Sequence, residues 1–196
     1  AHWHYFRLPV LRHHGIHLIA SVLAQHQSVF VRSLQDSGWI LSPLVDAEID
    51  EVMTWFPDAQ SVNIWGGPIF RFPFTGNTFR EDCHLDSMQS WVLRDMKGQL
   101  AAFGQAYERY GRGHLARLVS SPDIRRRGAG RKLIEMIMAV LEEDQTYDEF
   151  SLFVFRDNTP AYRCYLSLGF VVQDYPEDAP MPEKCYFLTR NTTRRR

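Results

Sequence analysis

The sequence predicts a mixed α/β (α+β) fold in which helices flank a central, mostly antiparallel sheet. Three strand-like segments follow one another between residues 87 and 120 and are separated by short turns that contain glycine, which favours an antiparallel meander. A helical pattern and a second apolar strand come next, and a crossover of this kind places its two strands parallel to each other. The alternation of strands and helices then continues to about residue 190.

The composition is typical of a folded globular protein. The chain has 196 residues, of which 45% are hydrophobic, and a net charge of −1. One domain with an extension is therefore expected, and a dedicated nucleic-acid binder, whose footprint is usually basic, is not. No apolar run is long enough to span a bilayer. The three widely spaced cysteines, Cys83, Cys164 and Cys185, predict a reducing, cytoplasmic compartment and no disulfide framework.

Three segments are expected along the chain: an N-terminal extension over residues 1–37, a folded domain over residues 38–190 and a basic tail over residues 191–196. The extension has no acidic residue before Asp36, and it contains six of the eight histidines, namely His2, His4, His13, His14, His17 and His26. Their order matches no helix-based ligand pair with an acidic or cysteine partner, so a metal site is the less favoured interpretation and no metal is predicted.

One strand and two helices are predicted in the first part of the domain. Residues 39–44 read as a strand. Asp46 is the expected N-cap of a helix that runs to about Phe56 with its apolar side chains on one face. The stretch from Trp65 to Phe74 is rich in aromatic residues, glycine and proline, which predicts a loop. A short helix is expected from about Asn77 to Leu85.

The second part of the domain is predicted to contain most of the sheet and two longer helices. One helix follows Gly128 and carries an apolar stripe. The other is expected to have Thr159 as its N-cap, Pro160 at its first position and an end before Gly169. The apolar strand that precedes this second helix suits a buried, central position. The six strands of this part are predicted at residues 87–95, 100–110, 114–120, 150–155, 170–174 and 185–190.

The most informative local feature is the basic, glycine-containing loop from Arg125 to Lys132, which joins a strand to a helix. Gly128 and Gly130 allow backbone amides to approach a ligand closely. The helix N-terminus directs its unpaired N–H groups and the positive end of its dipole to the same point. The loop therefore predicts a phosphate site, although its spacing fits neither a P-loop nor a Rossmann fingerprint.

Two motifs in this chain resemble those of the GNAT superfamily of N-acetyltransferases. Arg125-x-x-Gly128-x-Gly130 is similar to the loop with which that family binds the pyrophosphate of acetyl-CoA. The downstream pattern Asn158-x-x-Ala161-x-x-x-Tyr165-x-x-x-Gly169-Phe170 is similar to a second family motif, and the two occur in the expected order. The resemblance covers about residues 38–190. The Trp-Gly-Gly-Pro segment at residues 65–68 also resembles one bacterial branch of the family.

The resemblance implies a three-layer fold that holds acetyl-CoA, as co-substrate, between two splayed parallel strands. Backbone N–H groups of the basic loop would bind the pyrophosphate, and the end of the preceding strand would pair with the amides of the pantetheine arm. Asn158 is expected to keep its side chain free for the cofactor. The implied cofactor-binding residues are Leu118, Val119, Ser120, Arg125, Arg126, Arg127, Gly128, Ala129, Gly130, Arg131, Asn158 and Ala161.

The implied reaction is direct attack of a primary amine on the thioester within a ternary complex, without a covalent acyl-enzyme. Tyr165 would act as the general acid toward the leaving thiolate, because a phenol stays protonated at neutral pH. A backbone N–H on the strand that ends at Ser120 would meet the oxyanion. Glu108 is the leading candidate for the base, but an exposed structural carboxylate is an equally good interpretation. His114, Ser120 and catalysis without a dedicated base stay open as alternatives.

The acceptor amine cannot be read from the sequence, and both small molecules and peptides fit the fold. Trp65, Phe72 and Phe74 are expected to contribute to the wall of the acceptor pocket, and Arg117 is expected to be a structural ion-pair partner. A non-catalytic CoA-binding or sensing module is the alternative function. A nucleic-acid contact at the basic loop is less favoured, because no aromatic residues are interleaved with it. No membrane partner is expected, and the chain is predicted to be a monomer or homodimer.

Overall fold

The computed structural model describes residues 34–144 and 147–192, which all belong to one compact unit, Ser33–Arg196. A single eight-stranded sheet with the order β1-β2-β3-β4-β5-β6-β8-β7 lies at its centre. Neighbouring strands are antiparallel except for β5 and β6, which are parallel. The strands are β1 (Leu34–Asp36), β2 (Trp39–Pro43), β3 (Gln89–Asp95), β4 (Leu100–Arg109), β5 (Arg112–Ser120), β6 (Glu149–Phe155), β7 (Val171–Gln173) and β8 (Cys185–Asn191).

Five α-helices connect or flank these strands in the described part of the chain. They are α1 (Ile49–Met53), α2 (Ala59–Gly66), α3 (Gly76–Asp82), α4 (Ala129–Glu143) and α5 (Thr159–Ser167). Short 3-10 turns precede α1 and α4, at Asp46–Glu48 and Pro122–Ile124. No helix within these described residues is both long enough and apolar enough to cross a membrane.

The helices form two layers, one on each face of the sheet. Side chains alternate between the faces of a strand, so Val92 and Phe103 pack in a cluster with α1, α2 and α3. Leu93 and Ala102, one residue along each strand, pack in the other cluster with α4 and α5. The predicted three-layer arrangement around a mixed, mostly antiparallel sheet is confirmed.

The first helical region differs from the sequence prediction. The turn before α1 is preceded by Val45, and the Asp46 carboxylate does not cap it but pairs with Arg80. A further helix, α2, was not predicted, and it includes Trp65, which the sequence analysis placed in a loop. Its start is set by Asp58, whose Oδ1 accepts a hydrogen bond from the Ser61 N–H at 2.7 Å.

The second helical region also has a different N-cap. The cap of α5 is Asn158 and not Thr159, since the Asn158 Oδ1 accepts a hydrogen bond from the Ala161 N–H at 3.3 Å. The sheet itself begins at Leu34 and so includes part of the segment assigned to the extension. The six N-terminal histidines and most of the basic tail lie outside the described residues.

The central parallel strands stay together for only a short distance. The register of β5 and β6 contains two pairs, Gly113 with Phe150 and His114 with Ser151. β6 nevertheless continues to pair with β8 along its whole length. The two strands therefore diverge after His114, and the backbone edges that face each other beyond this point are open.

Candidate active site

A cavity of about 620 Å³ lies where β5 and β6 diverge. Its walls come from the end of β5, from Phe153 to Phe155 on β6, from α5 and from the α1–α2 region. It brings together many of the residues that the sequence analysis singled out. Those that line it are Trp65, His114, Arg117, Leu118, Val119, Ser120, Arg125, Asn158, Ala161 and Tyr165.

A β-bulge shapes the wall that β5 contributes. Phe103 pairs with Val119 and Gln105 pairs with Ala116, so β5 carries one residue more than β4 between these pairs. Arg117 lies in this bulge with a left-handed φ of 53°. A bulge leaves a backbone group without its ladder partner and redirects the strand. The bulge therefore places the backbone of Arg117 and Leu118, which have no pairing partner on β4, beside the cavity.

The two glycines of the basic loop serve different purposes. Gly128 is the N-cap of α4 and has a φ of 82°, a conformation that glycine adopts without strain. Gly130 has ordinary helical geometry, but a Cβ there would lie 2.9 Å from the Ser120 Oγ. Glycine at position 130 therefore allows the first turn of α4 to approach the end of β5 closely.

The N-terminus of α4 is suited to an anion. Its first turn contains no acidic residue, and no side chain caps it, so its first amides have no partner within the helix. Arg125, Arg126 and Arg127 precede it; all three are exposed, and Arg125 lines the cavity. The Arg131 side chain does not join them, because it donates to Glu135 and to Ser167 on α5.

Asn158 is less free than the sequence analysis expected. Its Oδ1 is the acceptor that caps α5, because a residue directly before a helix is the one whose side chain reaches the unpaired N–H groups. Its side-chain nitrogen, Nδ2, makes no hydrogen bond to another described residue. Toward the cavity, Asn158 therefore offers a donor and not an acceptor.

Tyr165 is buried on α5 and lines the cavity. Its ring packs edge-on against Phe170, with centroids 6.2 Å apart. Burial, with a smaller contribution from Cys164, raises the pKa of the Tyr165 phenol above its ordinary value. The phenol therefore holds its proton at neutral pH, as a proton donor must.

Glu108 does not reach the cavity. Tyr107 and Arg109 line it, and Glu108, which lies between them on β4, is directed to the opposite face of the sheet. Its Oε1 accepts a hydrogen bond from the Gly111 N–H at 2.7 Å and so stabilises the β4–β5 turn. The structure gives this carboxylate a structural role and does not bring it to the other site residues.

The three aromatic residues expected in the acceptor pocket occupy different positions. Trp65 lines the cavity and packs against Phe56 at 4.4 Å between ring centroids. Phe74 packs into the cluster around Trp65 and Phe79 but does not line the cavity. Phe72 is 39% exposed and contacts Phe74 from outside. Of these three, only Trp65 is in the wall.

Two titratable side chains in the wall are unsuited to act as a base or a nucleophile. Burial, together with the charges of Arg109 and Arg117, lowers the pKa of His114 to about 3, so its imidazole is neutral but a poor proton acceptor. Its Nδ1 lies 2.9 Å from the Ser151 Oγ. Burial raises the pKa of the Cys185 thiol, which disfavours the reactive thiolate.

The sequence analysis missed several residues of the wall. Tyr107, Arg109 and Phe153 line the cavity, and strand alternation predicts that the first two share a face. The missing information was which face of β4 points to the cavity. Arg117 also lines it, and it forms no ion pair with any described residue; its Nη1 donates instead to the Gln105 Oε1 at 2.8 Å. The expectation of a structural ion pair at Arg117 was wrong.

No metal site accompanies these residues in the described part of the chain. Within residues 34–144 and 147–192, no group of three or more His, Cys, Asp or Glu side chains is placed to hold a metal ion.

Comparisons with known proteins agree with this geometry. The model of the acetyltransferase (GNAT) family matches residues 50–170, more than half of the chain. No curated protein sequence matches. Similar solved structures include the spermidine N-acetyltransferase from Vibrio cholerae in complex with CoA and spermine, at 15% identity and a TM-score of 0.63, covering 80% of this chain and 96% of that one.

Two further similar structures are of acetyltransferases whose names give other acceptors. The ribosomal-protein-S5-alanine acetyltransferase from Vibrio fischeri has 11% identity and a TM-score of 0.62, over 82% of this chain and 96% of that one. The ribosomal-protein-S18-alanine N-acetyltransferase from Escherichia coli has 20% identity and a TM-score of 0.56, over 78% and 93%. At these identities the likeness shows a shared fold and not a shared acceptor.

Proposed function

This chain belongs to the GNAT acetyltransferase family, and we propose that it transfers an acetyl group from acetyl-CoA to a primary amine within a ternary complex. The opening between β5 and β6 is the observation that carries the proposal. Pairing ends at His114 and Ser151, and the cavity is lined by the strand ends beyond them. An extended chain that contains amides, such as pantetheine, fits between such open edges.

The two ends of this opening suit the two ends of acetyl-CoA. The first turn of α4, with Arg125 at the cavity wall, would bind the pyrophosphate through unpaired N–H groups. Arg126, Arg127, Gly128, Ala129, Gly130 and Arg131 would contribute mainly through their backbone. Leu118, Val119 and Ser120 would pair with the pantetheine arm, and Ala161 and the Asn158 amide would contact it from α5.

Tyr165 is proposed as the general acid. The amine nitrogen attacks the thioester carbon, a C–N bond forms and the carbonyl oxygen becomes an oxyanion, which a backbone N–H of the bulged β5 would stabilise. The C–S bond then breaks, the electron pair leaves with sulfur, and the Tyr165 hydroxyl gives its proton to the thiolate. The extra proton on the product nitrogen returns to the tyrosine or to water.

No carboxylate base is required in this scheme. Glu108 faces away from the cavity, and the His114 pKa is about 3, so neither accepts the ammonium proton effectively. We propose that the amine attacks in its neutral form, of which a peptide α-amine with a reference pKa of about 7.7–8.0 supplies a minor fraction at neutral pH. We also propose that the chain belongs to the bacterial branch of the family whose members share the Trp-Gly-Gly-Pro segment, which lies here at residues 65–68.

A coupled thiol-release assay tests the proposal. Acetyl-CoA is supplied with a panel of amino acids, peptides, polyamines and aminoglycosides, and the acetylated product is identified by mass spectrometry. The expected result is amine-dependent release of CoA with one product of added acetyl mass. Tight binding of CoA by calorimetry without thiol release for any amine would instead indicate a non-catalytic CoA-binding module.

A further inference from the structure

The cavity is lined by three arginines and by no acidic side chain. Arg109, Arg117 and Arg125 form part of its wall, and none of its lining residues is Asp or Glu. Every Asp and Glu side chain of the chain belongs to residues 34–144 and 147–192, so the remaining residues supply no such carboxylate either. Within residues 34–144 and 147–192, no Asp or Glu side chain forms an ion pair with any of these three arginines.

Arg109 is held in place by aromatic rings and lacks an anionic partner. Its guanidinium carbon lies 4.8 Å from the Phe153 ring centroid and 5.2 Å from that of Tyr110. The Tyr107 hydroxyl accepts from its Nη1 at 3.4 Å, and its Nε is buried with no hydrogen-bond partner. Burial opposes the charge of Arg109, but the Tyr107 and Tyr110 hydroxyls outweigh it and raise its pKa. The buried Nε still lacks an acceptor, which is costly, and a ligand can supply one.

Arg117 is the second cation of the wall, and it is also held by neutral groups. Its Nη1 donates to Gln105, and its guanidinium lies 5.3 Å from the centroid of Phe70. The acidic side chain that acts on it electrostatically, Asp82, is already paired with Arg71 at 2.6 Å. Burial lowers the pKa of Arg117 below its ordinary value, as expected for a charge that lacks a counterion.

The charges of both arginines act on His114, which is part of the cavity wall. His114 lies between Tyr107 and Phe153, 5.2 Å from each ring centroid, and the charges of Arg109 and Arg117 both disfavour its protonation. Asp178, on the loop before β8, acts on the Tyr110 hydroxyl but forms no ion pair with Arg109. A positively charged group of an acceptor placed beside His114 would be repelled by the same two arginines.

Arg109 lies away from the proposed pyrophosphate site. Arg109 pairs with Arg112 at the start of β5, whereas α4 approaches Ser120 at its end. Eight residues of extended chain separate these positions, roughly 25 Å at about 3.3 Å per residue. A charge at Arg109 is therefore placed for the acceptor and not for the phosphates of CoA.

We propose that the acceptor is a small amine that also carries an anionic group, as a free amino acid does, and that Arg109, supported by Arg117, binds this anion. This inference rests on the proposed acetyl transfer. A guanidinium fork binds a carboxylate with two parallel hydrogen bonds, which would fix the amine in one orientation toward the thioester. A polycationic acceptor would find no negatively charged side chain in this wall.

Matched acceptors test the inference. Thiol release is measured with L-alanine, L-leucine and L-phenylalanine, with the amide of each, with phosphoethanolamine and with spermidine. The wild-type enzyme is expected to favour a carboxylated or phosphorylated amine at least tenfold in kcat/KM, and the comparison between these two identifies the anion. Preference for the amides or for spermidine overturns the inference while leaving acetyl transfer intact.

Variants assign the preference to Arg109. R109Q is expected to raise KM for the anionic amine about 10-fold to 100-fold, the usual effect of a lost charged hydrogen bond, and to leave KM for the amides and for acetyl-CoA within about twofold. R112Q is the control, because Arg112 lies opposite Arg109 in the same hairpin but pairs with Glu149 and does not line the cavity. An equal effect of R109Q on acids and amides contradicts the assignment.

A binding measurement separates this inference from the proposed function. If no amine releases thiol, acetyl transfer fails, and the anion site is tested by calorimetry with the N-acetyl forms of the same amino acids and amino acid amides in the presence of CoA. Preferential binding of the N-acetyl acids that R109Q abolishes supports the arginine site. Equal binding of acids and amides overturns it.

Discussion

Tyr165 is the side chain on which the proposed chemistry depends most. It is buried, lines the cavity and has a raised pKa, so it is a proton donor at neutral pH. Its place at the site was expected from the resemblance of the segment from Asn158 to Phe170 to a GNAT family motif. Its surroundings were not, because packing against Phe170 depends on how α5 lies on the sheet.

Replacement of Tyr165 by phenylalanine removes the proton donor and keeps the ring that packs against Phe170. We expect kcat to fall about 100-fold or more, which is the usual range for a general acid, while KM for acetyl-CoA changes less than about twofold. Steady-state kinetics with a fixed acceptor measure both quantities. Y162F is the control, because Tyr162 is on the same helix but packs on Tyr186, with centroids 4.9 Å apart, and does not line the cavity.

An unchanged kcat in Y165F, or an equal loss in Y162F, would contradict the general-acid role.

Glu108 illustrates the limit of residue-level prediction from sequence. The choice between Tyr107, Glu108 and Arg109 depended on which face of β4 meets the cavity, and alternation alone gives the spacing but not the face. The tertiary packing of α1 to α3 on one face decides it.

The junction of β5 with α4 is the element that the sequence predicted best. The strand, the glycine loop and the apolar stripe of the helix are all present, and Leu133 and Ile137 are fully buried. The sequence could not predict the bulge at Arg117, since a single extra residue in one strand becomes visible only against its partner strand. The sequence analysis also missed α2, which begins directly after its N-cap, Asp58, and shows only a short capping pattern.

The close approach of α4 to β5 can be tested with two substitutions. In G130A, a Cβ would lie 2.9 Å from the Ser120 Oγ, so the helix or the serine must move. We expect CoA affinity to fall about tenfold, because strain of the size typical of overpacking, about 1–3 kcal/mol, would displace the amides that bind the pyrophosphate. In G130A/S120A, the contact is relieved, and most of the affinity is expected to return.

Calorimetry with CoA provides the measurement, and S120A alone is the control. Wild-type affinity in G130A would show that the approach of α4 to Ser120 is not needed for binding. Failure of S120A to restore the affinity would place the defect elsewhere in the loop.

In the part of the chain that the structure describes, one sheet has a layer of helices on each face, and its strands separate at the centre, between β5 and β6. The opening follows from the two-pair register of β5 with β6. The sequence predicted the parallel pair, because a strand-helix-strand crossover requires it. The charge of the cavity was not predicted, since Arg109, His114 and Arg117 come together only when β4 and β5 pair.

Burial of neutral His114 should make the stability of the fold depend on pH. Its pKa is about 3 in the folded protein and 6.5 ordinarily, so between these values the unfolded chain binds a proton that the folded protein does not. The free energy of unfolding therefore falls as pH decreases from 6.5 toward 3, by up to about 1.4 kcal/mol per pH unit from this residue.

Denaturant unfolding of the wild type and H114Q between pH 7 and pH 4 measures this contribution. The difference in free energy of unfolding between the two proteins is expected to shift in favour of H114Q as the pH is lowered. A difference that stays constant over this range would mean that His114 titrates alike in the folded and unfolded chains.

The proposed direct transfer requires both substrates to occupy the one cavity at the same time. Initial-rate kinetics test this most directly, with acetyl-CoA and the preferred amine varied together. Intersecting lines in double-reciprocal plots are expected, because a ternary complex forms before any chemistry. Parallel lines would contradict the proposal, since they indicate that CoA leaves before the amine binds and that an acyl group, for example on Cys185 in the cavity wall, is carried covalently by the enzyme.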